Sequence, residues 1–281
     1  MRQKASYGRK GRGTLWRYQR DLHISFTQLD TYLQCPRRYK YQYVIGAEWE
    51  HIPAAIPLGK SLHQPVAQYY LAVQRNGAPP SLDELLALFD EVWEKEGTAD
   101  KVKFDEEQSF ATMKAQGREL LAVFYHEARP QKIVAVEYPF SEELMDPKTG
   151  EVLPIKLVGA FDLLEADDEG NFVIVDLKST ERRYSDNQLE TNLQSAVYCY
   201  ALVLLGLANP GDEVLVRFDV LLKTKKPAME RYPVVRNSFD QQRAFGMLKD
   251  VLRAIDAQLY HPRPGWYCAE CPFKKRCDQE P

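Results

Sequence analysis

The chain has 281 residues, of which 44% are hydrophobic and 27% are charged. These proportions are typical of a soluble globular protein with a substantial core, and the length suits one large domain or two small ones. The net charge of −3 excludes a broadly basic nucleic-acid-binding surface, so any basic surface has to be local. The longest apolar runs fall well short of the ~20 residues that a membrane span needs. The N-terminus lacks the apolar core of a secretory signal, so we expect a cytoplasmic protein.

The first 20 residues are rich in Lys and Arg and contain no acidic residue. This composition predicts a flexible basic tail over residues 1–22, with a DNA-touching arm as the alternative. The remainder, residues 23–281, shows neither an internal repeat nor a long linker. We therefore interpret it as a single domain.

Helical patterns dominate the first half of that domain. Apolar residues at helical spacing predict helices at residues 25–44, 58–74, 81–97 and 105–128. Ser25 is the expected N-cap of the first helix, and Ser81 and Glu84 have the spacing of a capping box. We interpret residues 64–130 as a helical insertion.

The second half alternates between strands and helices. Alternating apolar residues predict strands at residues 132–142, 155–166, 171–180, 213–222 and 229–236. Helices are predicted at about 188–207 and 239–259. A turn at residues 167–170 joins the second and third strands into a hairpin, and residues 261–281 form a cysteine-rich, turn-rich tail. The expected fold is α/β, with a mixed central sheet flanked by helices.

Two aspartates and a lysine interrupt the apolar strands of this hairpin. Asp162 lies in its first strand, whereas Asp176 and Lys178 share one face of its second strand, because side chains alternate along a strand. Buried charges are costly unless they are paired or bind a metal. Two carboxylates that converge across a hairpin suit Mg²⁺ or Mn²⁺, and a lysine beside them can orient a water or stabilise negative charge on a phosphate. For Asp-x-Lys alone, the alternative is a solvated strand end.

The order of these residues resembles the RecB-like branch of the PD-(D/E)XK nuclease superfamily, whose core is restriction-endonuclease-like. The motifs occur in the family's order along the chain: His63, Asp162, Asp176, Lys178, Gln194 and Tyr198. The resemblance implies that His63 and the two aspartates hold a catalytic metal ion and that Lys178 is catalytic. It also implies that Gln194 and Tyr198, which share one helix face, contact DNA or support the site.

The resemblance adds Glu137, on the preceding strand, to the catalytic residues. Each of these residues also has an ordinary structural interpretation. His63 alone would be a helix histidine, Tyr198 a core side chain and Glu137 a solvated strand residue. The family's Pro-Asp is replaced here by Phe161-Asp162, as is common in this branch.

The cysteines indicate a second site. An odd number of cysteines without a secretory signal argues against a disulfide framework. Cys268, Cys271 and Cys277 have metal-ligand spacing, and Cys35 is the candidate for the fourth thiolate; four thiolates suit either a [4Fe–4S] cluster or a structural Zn²⁺. One cysteine before the core and three after it is the pattern of the iron–sulfur members of the RecB-like branch. The resemblance therefore implies a [4Fe–4S] cluster that joins the two ends of the domain. Cys199, in an apolar helix, is expected to be a buried free thiol.

Basic residues lie close to the cysteines, notably Arg37 and Arg38 after Cys35. A cluster that joined the chain ends would gather them into a local positive surface for a DNA backbone. A solvated helix face is the alternative.

Together, these features predict a metal-dependent DNA exonuclease that acts at DNA ends or on single strands. The sequence shows no separate DNA-reading motif and no helicase P-loop. The expected pathway is repair, recombination, phage replication or CRISPR adaptation. Any unwinding activity would come from another chain, so a helicase or another recombination or adaptation protein is the candidate partner. The alternatives are a non-catalytic DNA-binding or assembly module and a zinc-stapled structural protein.

Overall fold

The computed structural model describes residues 23–280, and the predicted basic tail at residues 1–22 lies outside this range. The helices are α1 (Phe26–Gln34), α2 (Pro36–Tyr39, continued by a π-helical turn at Lys40–Ile45), α3 (Ala55–Asn76), α4 (Leu82–Gly97), α5 (Phe110–Glu127), α6 (Asp186–Glu190), α7 (Leu193–Leu204), α8 (Ser238–Asp256) and α9 (Lys274–Gln279). The strands are β1 (His23–Ser25), β2 (Ile52–Pro53), β3 (Val102–Lys103), β4 (Lys132–Met145), β5 (Val152–Ala166), β6 (Phe172–Thr180), β7 (Val214–Leu222) and β8 (Ala228–Arg236).

The central sheet is mixed. Its long strands lie in the spatial order β4, β5, β6, β7, β8, and β1 adds to β5 beyond the part of β5 that pairs with β6. The β4–β5, β5–β6 and β7–β8 pairs are antiparallel, whereas β6–β7 and β1–β5 are parallel. The predicted α/β fold with a mixed sheet and the predicted hairpin between β5 and β6 are therefore confirmed.

Helices cover both faces of the sheet. One face packs against α1, α7 and α8 around side chains such as Phe161 and Phe218. The other packs against α3, α4 and α5 around Phe89 and Trp93. Within residues 23–280, no helix combines the length and the apolar character that crossing a membrane would require.

The predicted helix at residues 25–44 is interrupted at Cys35. The backbone of Cys35 is extended (φ −158°, ψ 107°) and ends α1. Pro36 then begins α2, a position where the missing N–H of proline costs no intrahelical hydrogen bond. Because of this break, the Cys35 side chain leaves the helical path.

The predicted helix at residues 188–207 is also divided, since α6 ends at Glu190 and α7 begins at Leu193. Asn192 starts the second helix by accepting a hydrogen bond from the N–H of Ser195. The strands β1, β2 and β3 were not predicted, because two or three residues are too few for a periodic pattern.

The segment interpreted as a helical insertion, residues 64–130, contains the second half of α3 together with α4 and α5. Gly117 of α5 permits the close approach of α4. A Cβ atom at this position would lie 2.2 Å from the ring of Phe89. The tight contact fixes the helical layer against which α3, and with it His63, is held.

Candidate functional site

The candidate site forms where β5 and β6 separate. The antiparallel pairing of the two strands ends at Leu163 and Val175. Beyond this point, the N–H of Leu177 donates to Asp162 Oδ2 at 2.8 Å instead of to a β5 carbonyl. The separation of the strands therefore gives Asp162 a backbone hydrogen bond that fixes its carboxylate.

The side-chain alternation of β4 and β5 reverses at Glu137 and Asp162. On β4, Val136 packs beneath α3–α5 whereas Tyr138 packs beneath α7 and α8, although residues two apart in a regular strand share a face. Their partners on β5 are divided in the same way. Glu137 accommodates this reversal with a φ of 49°, a left-handed conformation that is strained for a residue with a side chain.

Three side chains from three elements converge at this point. Ligand atoms of His63, Glu137 and Asp162 all lie within 4.8 Å of one another, and His63 Nδ1 is 3.7 Å from Asp162 Oδ2. They line a cavity of about 10 Å³, roughly the room that one water or ion occupies. An imidazole with two carboxylates is a donor set that fits a divalent cation, and the carboxylates favour Mg²⁺ or Mn²⁺. Partial desolvation and the charge of Asp162 raise the pKa of Glu137, while His63 opposes the shift.

Asp176 and Lys178 form an ion pair beside this set. Lys178 Nζ lies 2.7 Å from Asp176 Oδ2, and the two side chains are 34% and 2% exposed. A carboxylate oxygen has two lone pairs, so Asp176 Oδ2 can bind a cation in addition to Lys178. Burial raises the pKa of Asp176 to about 6 although Lys178 lowers it. Desolvation of the Lys178 ammonium is outweighed by the Asp176 carboxylate, so the pKa of Lys178 is raised.

Gln194 and Tyr198 support Asp176 from α7. Gln194 Nε2 donates to Asp176 Oδ1 at 3.0 Å and to the Tyr198 hydroxyl oxygen at 2.9 Å. Both residues are buried, and the Tyr198 ring packs edge-on against Phe161. Of the two roles that the sequence left open for this pair, the geometry favours support of the site over contact with DNA.

A buried ionic network under the site was missed by the sequence analysis. Arg217 donates to both carboxylate oxygens of Asp219, at 2.8 and 3.3 Å, and to Glu165 Oε2 at 2.8 Å. Glu165 also accepts from the N–H of Gln131 at 3.0 Å, and Asp219 lines the same cavity as His63. The signal was present in the sequence, because Arg217 and Asp219 are same-face charges in an otherwise apolar strand.

The structure brings the four predicted cysteine ligands around one cavity. Cys35, Cys268, Cys271 and Cys277 line a cavity of about 280 Å³. Within residues 23–280, no three of these thiols form a set whose sulfurs all lie within 4.8 Å of one another. Desolvation raises the pKa of Cys271 and of Cys277, and nearby Cys35 and Cys268 act in the same direction. Cys199 lies apart on α7 and is fully buried, as predicted.

The arginines that follow Cys35 are engaged within the protein. Arg37 Nη1 donates to the carbonyl oxygen of Glu280 at 3.0 Å. Arg38 Nη1 donates to Gln34 Oε1 at 2.9 Å, and its guanidinium lies 6.0 Å from the centre of the Trp49 ring. These contacts give both arginines a packing role, and their contact with DNA stays a prediction.

The sheet, its flanking helices and a histidine–carboxylate–lysine site at a divided hairpin are the features of a metal-dependent nuclease fold. Comparison with protein families agrees, because the sequence model of the PD-(D/E)XK nuclease superfamily matches residues 23–278. The chain belongs to this superfamily.

Comparison with solved structures gives the same fold. A candidate exonuclease from Eubacterium rectale is similar, with a TM-score of 0.54 and 14% identity over 89% of this chain and 86% of that one. SSO0001 is less similar, with a TM-score of 0.34 and 14% identity over 91% of this chain and 94% of that one. Rai1 from Scheffersomyces stipitis has a TM-score of 0.25 and 12% identity over 77% of this chain and 65% of its own. No curated protein matches the chain in sequence. At 14% identity, the likeness to the Eubacterium rectale protein shows the fold alone.

Proposed function

We propose that this protein is a divalent-metal-dependent deoxyribonuclease that degrades DNA from ends or along single strands. The observation that carries the proposal is the convergence of His63, Glu137 and Asp162 next to the Asp176–Lys178 ion pair. A buried carboxylate is costly unless it is paired or binds a metal. Asp176 is paired with Lys178 and also feels the charges of Asp162 and His63 in the neighbouring set of metal-ligand side chains.

In this proposal, His63, Asp162 and Asp176 hold a Mg²⁺ or Mn²⁺ ion, with Glu137 as a further carboxylate. Such an ion, when bound, polarises a phosphate oxygen and lowers the pKa of a water. The hydrogen bonds from Leu177 N–H to Asp162 and from Gln194 to Asp176 keep both carboxylates oriented.

Lys178 has a separate role in this proposal. Its ammonium is held by Asp176 while a third of the side chain, 34%, remains exposed. It can therefore face a substrate phosphate and stabilise the negative charge that develops as the phosphodiester bond breaks.

Exonuclease action and the RecB-like assignment rest on the motif order described above. The fold neighbour from Eubacterium rectale is itself described as a candidate exonuclease, which agrees with this choice. The proposal includes one nuclease domain over residues 23–281, a cytoplasmic location and a partner such as a helicase. Those three points rest on the sequence interpretation alone.

We also propose that the four cysteines hold a [4Fe–4S] cluster and not zinc. Two thiolates on one zinc can be no more than about 4.6 Å apart, because each Zn–S bond is about 2.3 Å. Three zinc-bound thiols would therefore form a set within 4.8 Å, and within the described residues these cysteines form none. A four-iron cluster also carries inorganic sulfide and so needs a cavity, for which the space of about 280 Å³ provides room.

The nuclease proposal is tested by digestion of end-labelled linear DNA and of closed circular single-stranded DNA with Mg²⁺ or Mn²⁺. We expect the linear DNA to be degraded and the circle to survive. Asp176→Ala should abolish cleavage and keep the wild-type melting profile, whereas Lys178→Ala should lose turnover by several orders of magnitude but still bind Mn²⁺ in calorimetry. Full activity of Asp176→Ala would exclude the assignment, and cleavage of the circle would identify an endonuclease.

The cluster proposal is tested by the iron and acid-labile sulfide content of anaerobically purified protein. We expect four irons per chain, loss of iron in Cys35→Ser, and full iron content in the matched variant Cys199→Ser. One zinc and no iron per chain would establish a zinc site instead.

A further inference from the structure

The strand end that carries Lys178 continues into a strongly basic edge. We define this edge by the loop at residues 181–185, after β6, and the turn at residues 223–227, between β7 and β8. Its basic residues are Arg182, Arg183, Lys223, Lys225 and Lys226. The only acidic residue in the two segments is Glu181. For a chain with a net charge of −3, this is a concentrated local excess of positive charge.

The sheet register places the two segments side by side. Strands β6 and β7 are parallel, with Thr180 opposite Leu222, so both strands end at the same edge. The carbonyl oxygen of Thr180 accepts a hydrogen bond from the N–H of Lys223 at 2.7 Å. Thr180 is two residues past Lys178, or about 7 Å at about 3.3 Å per residue. The basic edge therefore begins within about three nucleotides of Lys178, at about 3.4 Å per nucleotide of each strand.

Three of these charges face solvent without a protein partner. The side chains of Arg182, Lys225 and Lys226 are exposed, and within residues 23–280 none of them takes part in an ion pair. Arg183, in contrast, is paired with Glu230 at 2.6 Å. The edge thus differs from the surroundings of Cys35, where the arginines are held by contacts within the protein.

The loop at residues 181–185 is also firmly attached to the site. The Tyr184 ring packs against the rings of Phe218 and Tyr232, with centroids 5.8 and 5.4 Å away. Burial raises the pKa of Tyr184 while the nearby charge of Lys178 opposes the shift, which reflects their proximity. Rigid attachment favours binding, because less conformational entropy is lost when a ligand docks.

An acidic groove meets the basic edge at Glu181. Its acidic lining residues are Asp105, Glu106, Glu107, Glu181 and Glu270. The acidic side chains disfavour a polyanion in this groove, so the basic edge is the more favourable surface for a polyanion next to Lys178.

We propose that the basic edge binds the phosphodiester backbone of the DNA strand whose end occupies the site. The inference rests on the proposed function and deepens it, because it names the surface that holds the substrate beyond the reacting phosphate. The contacts are to phosphates, so binding along the edge is independent of base sequence and strongly dependent on salt.

The test is the affinity for fluorescein-labelled DNA, measured by anisotropy in Ca²⁺ to prevent cleavage, over a series of salt concentrations. The variant is Arg182→Gln, Lys225→Gln and Lys226→Gln combined. The matched control combines Lys132→Gln, Lys148→Gln and Lys156→Gln, which removes the same charge from exposed positions of β4, β5 and their connection. We expect the first variant to bind about tenfold more weakly or worse, and its log–log salt slope to shrink by about 2 to 3. The control should keep most of the wild-type affinity and slope, and both variants should keep the wild-type melting temperature.

Equal affinity of the first variant and wild type, or equal loss in the control, would overturn the inference. In the first case an acidic protein surface would be the remaining occupant of the edge. Cleavage is measured separately on the same proteins. A wild type that binds through these residues but never cleaves would refute the proposed function and leave the inference standing. If the wild type cleaves DNA while the variant binds it normally, the inference is refuted and the proposed function stands. If the wild type does not bind DNA, the inference and the proposed function are both refuted.

Discussion

The backbone N–H of Glu50 donates to the carbonyl oxygen of Pro272 at 3.0 Å, which ties the cysteine-rich tail to the segment that leads into α3. A second hydrogen bond joins the same segments, since the Glu50 carboxylate accepts from the N–H of Lys275 at 3.1 Å. Since α3 carries His63, these hydrogen bonds connect the cysteine-rich tail to the helix that contributes to the candidate metal site. Folding of the tail is therefore expected to contribute to the position of His63.

Replacement of Glu50 by alanine removes the acceptor for Lys275 N–H. A hydrogen bond to a charged group contributes up to about 1.5–3 kcal/mol when protected, and partial exposure here reduces it to about 1 kcal/mol. In a chain of this size that corresponds to a fall in melting temperature of about 2–4 °C. Differential scanning fluorimetry provides the measurement.

Glu48→Ala is the matched control for this prediction. The Glu48 side chain is 89% exposed and pairs only at the surface with Lys101. We expect its melting temperature to stay close to that of the wild type, since exposed pairs contribute little. Equal melting temperatures for Glu50→Ala and Glu48→Ala would show that the tail contact carries no stability.

Much of this fold could be predicted from the sequence because its long elements follow strong periodic patterns. The apolar strands around Asp162 and Asp176, and the capping box at Ser81, are local signals that tertiary packing does not override. The hairpin register follows from the turn at residues 167–170. The proximity of Asp162 to Asp176 and Lys178 could therefore be expected from the amino-acid sequence alone.

Other features depend on contacts that a linear pattern does not contain. The reversal of alternation lies where Glu137 and Asp162 drop out of the regular β4–β5 pairing, and no propensity predicts a left-handed Glu within a strand. The packing of Arg37 onto the C-terminal segment joins residues 243 positions apart. The proximity of Arg182 to Lys225 follows only from the parallel β6–β7 register, because the two segments are remote in sequence.

Gln194→Leu tests whether the α7 pair positions Asp176. The substitution removes the donor to Asp176 Oδ1 and leaves this buried oxygen without its partner. Groups that orient a ligand typically change metal affinity or activity by about 10–100-fold, and we expect a loss of that size in cleavage and in Mn²⁺ affinity. Tyr198→Phe keeps the ring and loses only the hydroxyl that accepts from Gln194, so a smaller loss is expected. Wild-type Mn²⁺ affinity in Gln194→Leu would contradict the positioning role.

Cys199 should be chemically inert in the folded protein. Burial raises its pKa to about 11, although its contact with Gln241 lowers it. The reactive thiolate is therefore scarce at neutral pH, and the sulfur is shielded from solvent. Mass spectrometry after iodoacetamide treatment should find Cys199 unmodified in native protein and alkylated after denaturation. Rapid alkylation under native conditions would show that α7 opens locally.

The raised pKa of Cys199 also affects the stability of the protein at high pH. An unfolded thiol ionises near its ordinary pKa of about 8.5, and the folded one ionises only near about 11. The protonated Cys199 thiol contributes its full stabilisation below the pKa of the unfolded state. This contribution is lost as the pH rises through the pKa of the folded state. Cys199→Ser should therefore show a weaker fall in stability than wild type between these two pH values, measured by urea denaturation. Parallel stability curves would contradict the assignment.

The strained backbone of Glu137 predicts a conflict between stability and metal binding. Glu137→Ala removes the carboxylate but keeps a side chain at a φ of 49°, whereas Glu137→Gly removes the carboxylate and the strain together. A non-glycine residue in this region costs about 1–3 kcal/mol, so the glycine variant should melt at least about 2–4 °C above the alanine variant. In the absence of metal, Glu137→Gly should also be no less stable than wild type. The Asp162 charge disfavours the ionised form of Glu137, so removing the Glu137 carboxylate removes a repulsion. Both variants should lose Mn²⁺ affinity to the same extent in calorimetry, since each lacks the Glu137 carboxylate.

Equal melting temperatures of the glycine and alanine variants would refute the backbone strain at residue 137. Wild-type Mn²⁺ affinity in both variants would show that Glu137 is not part of the metal site.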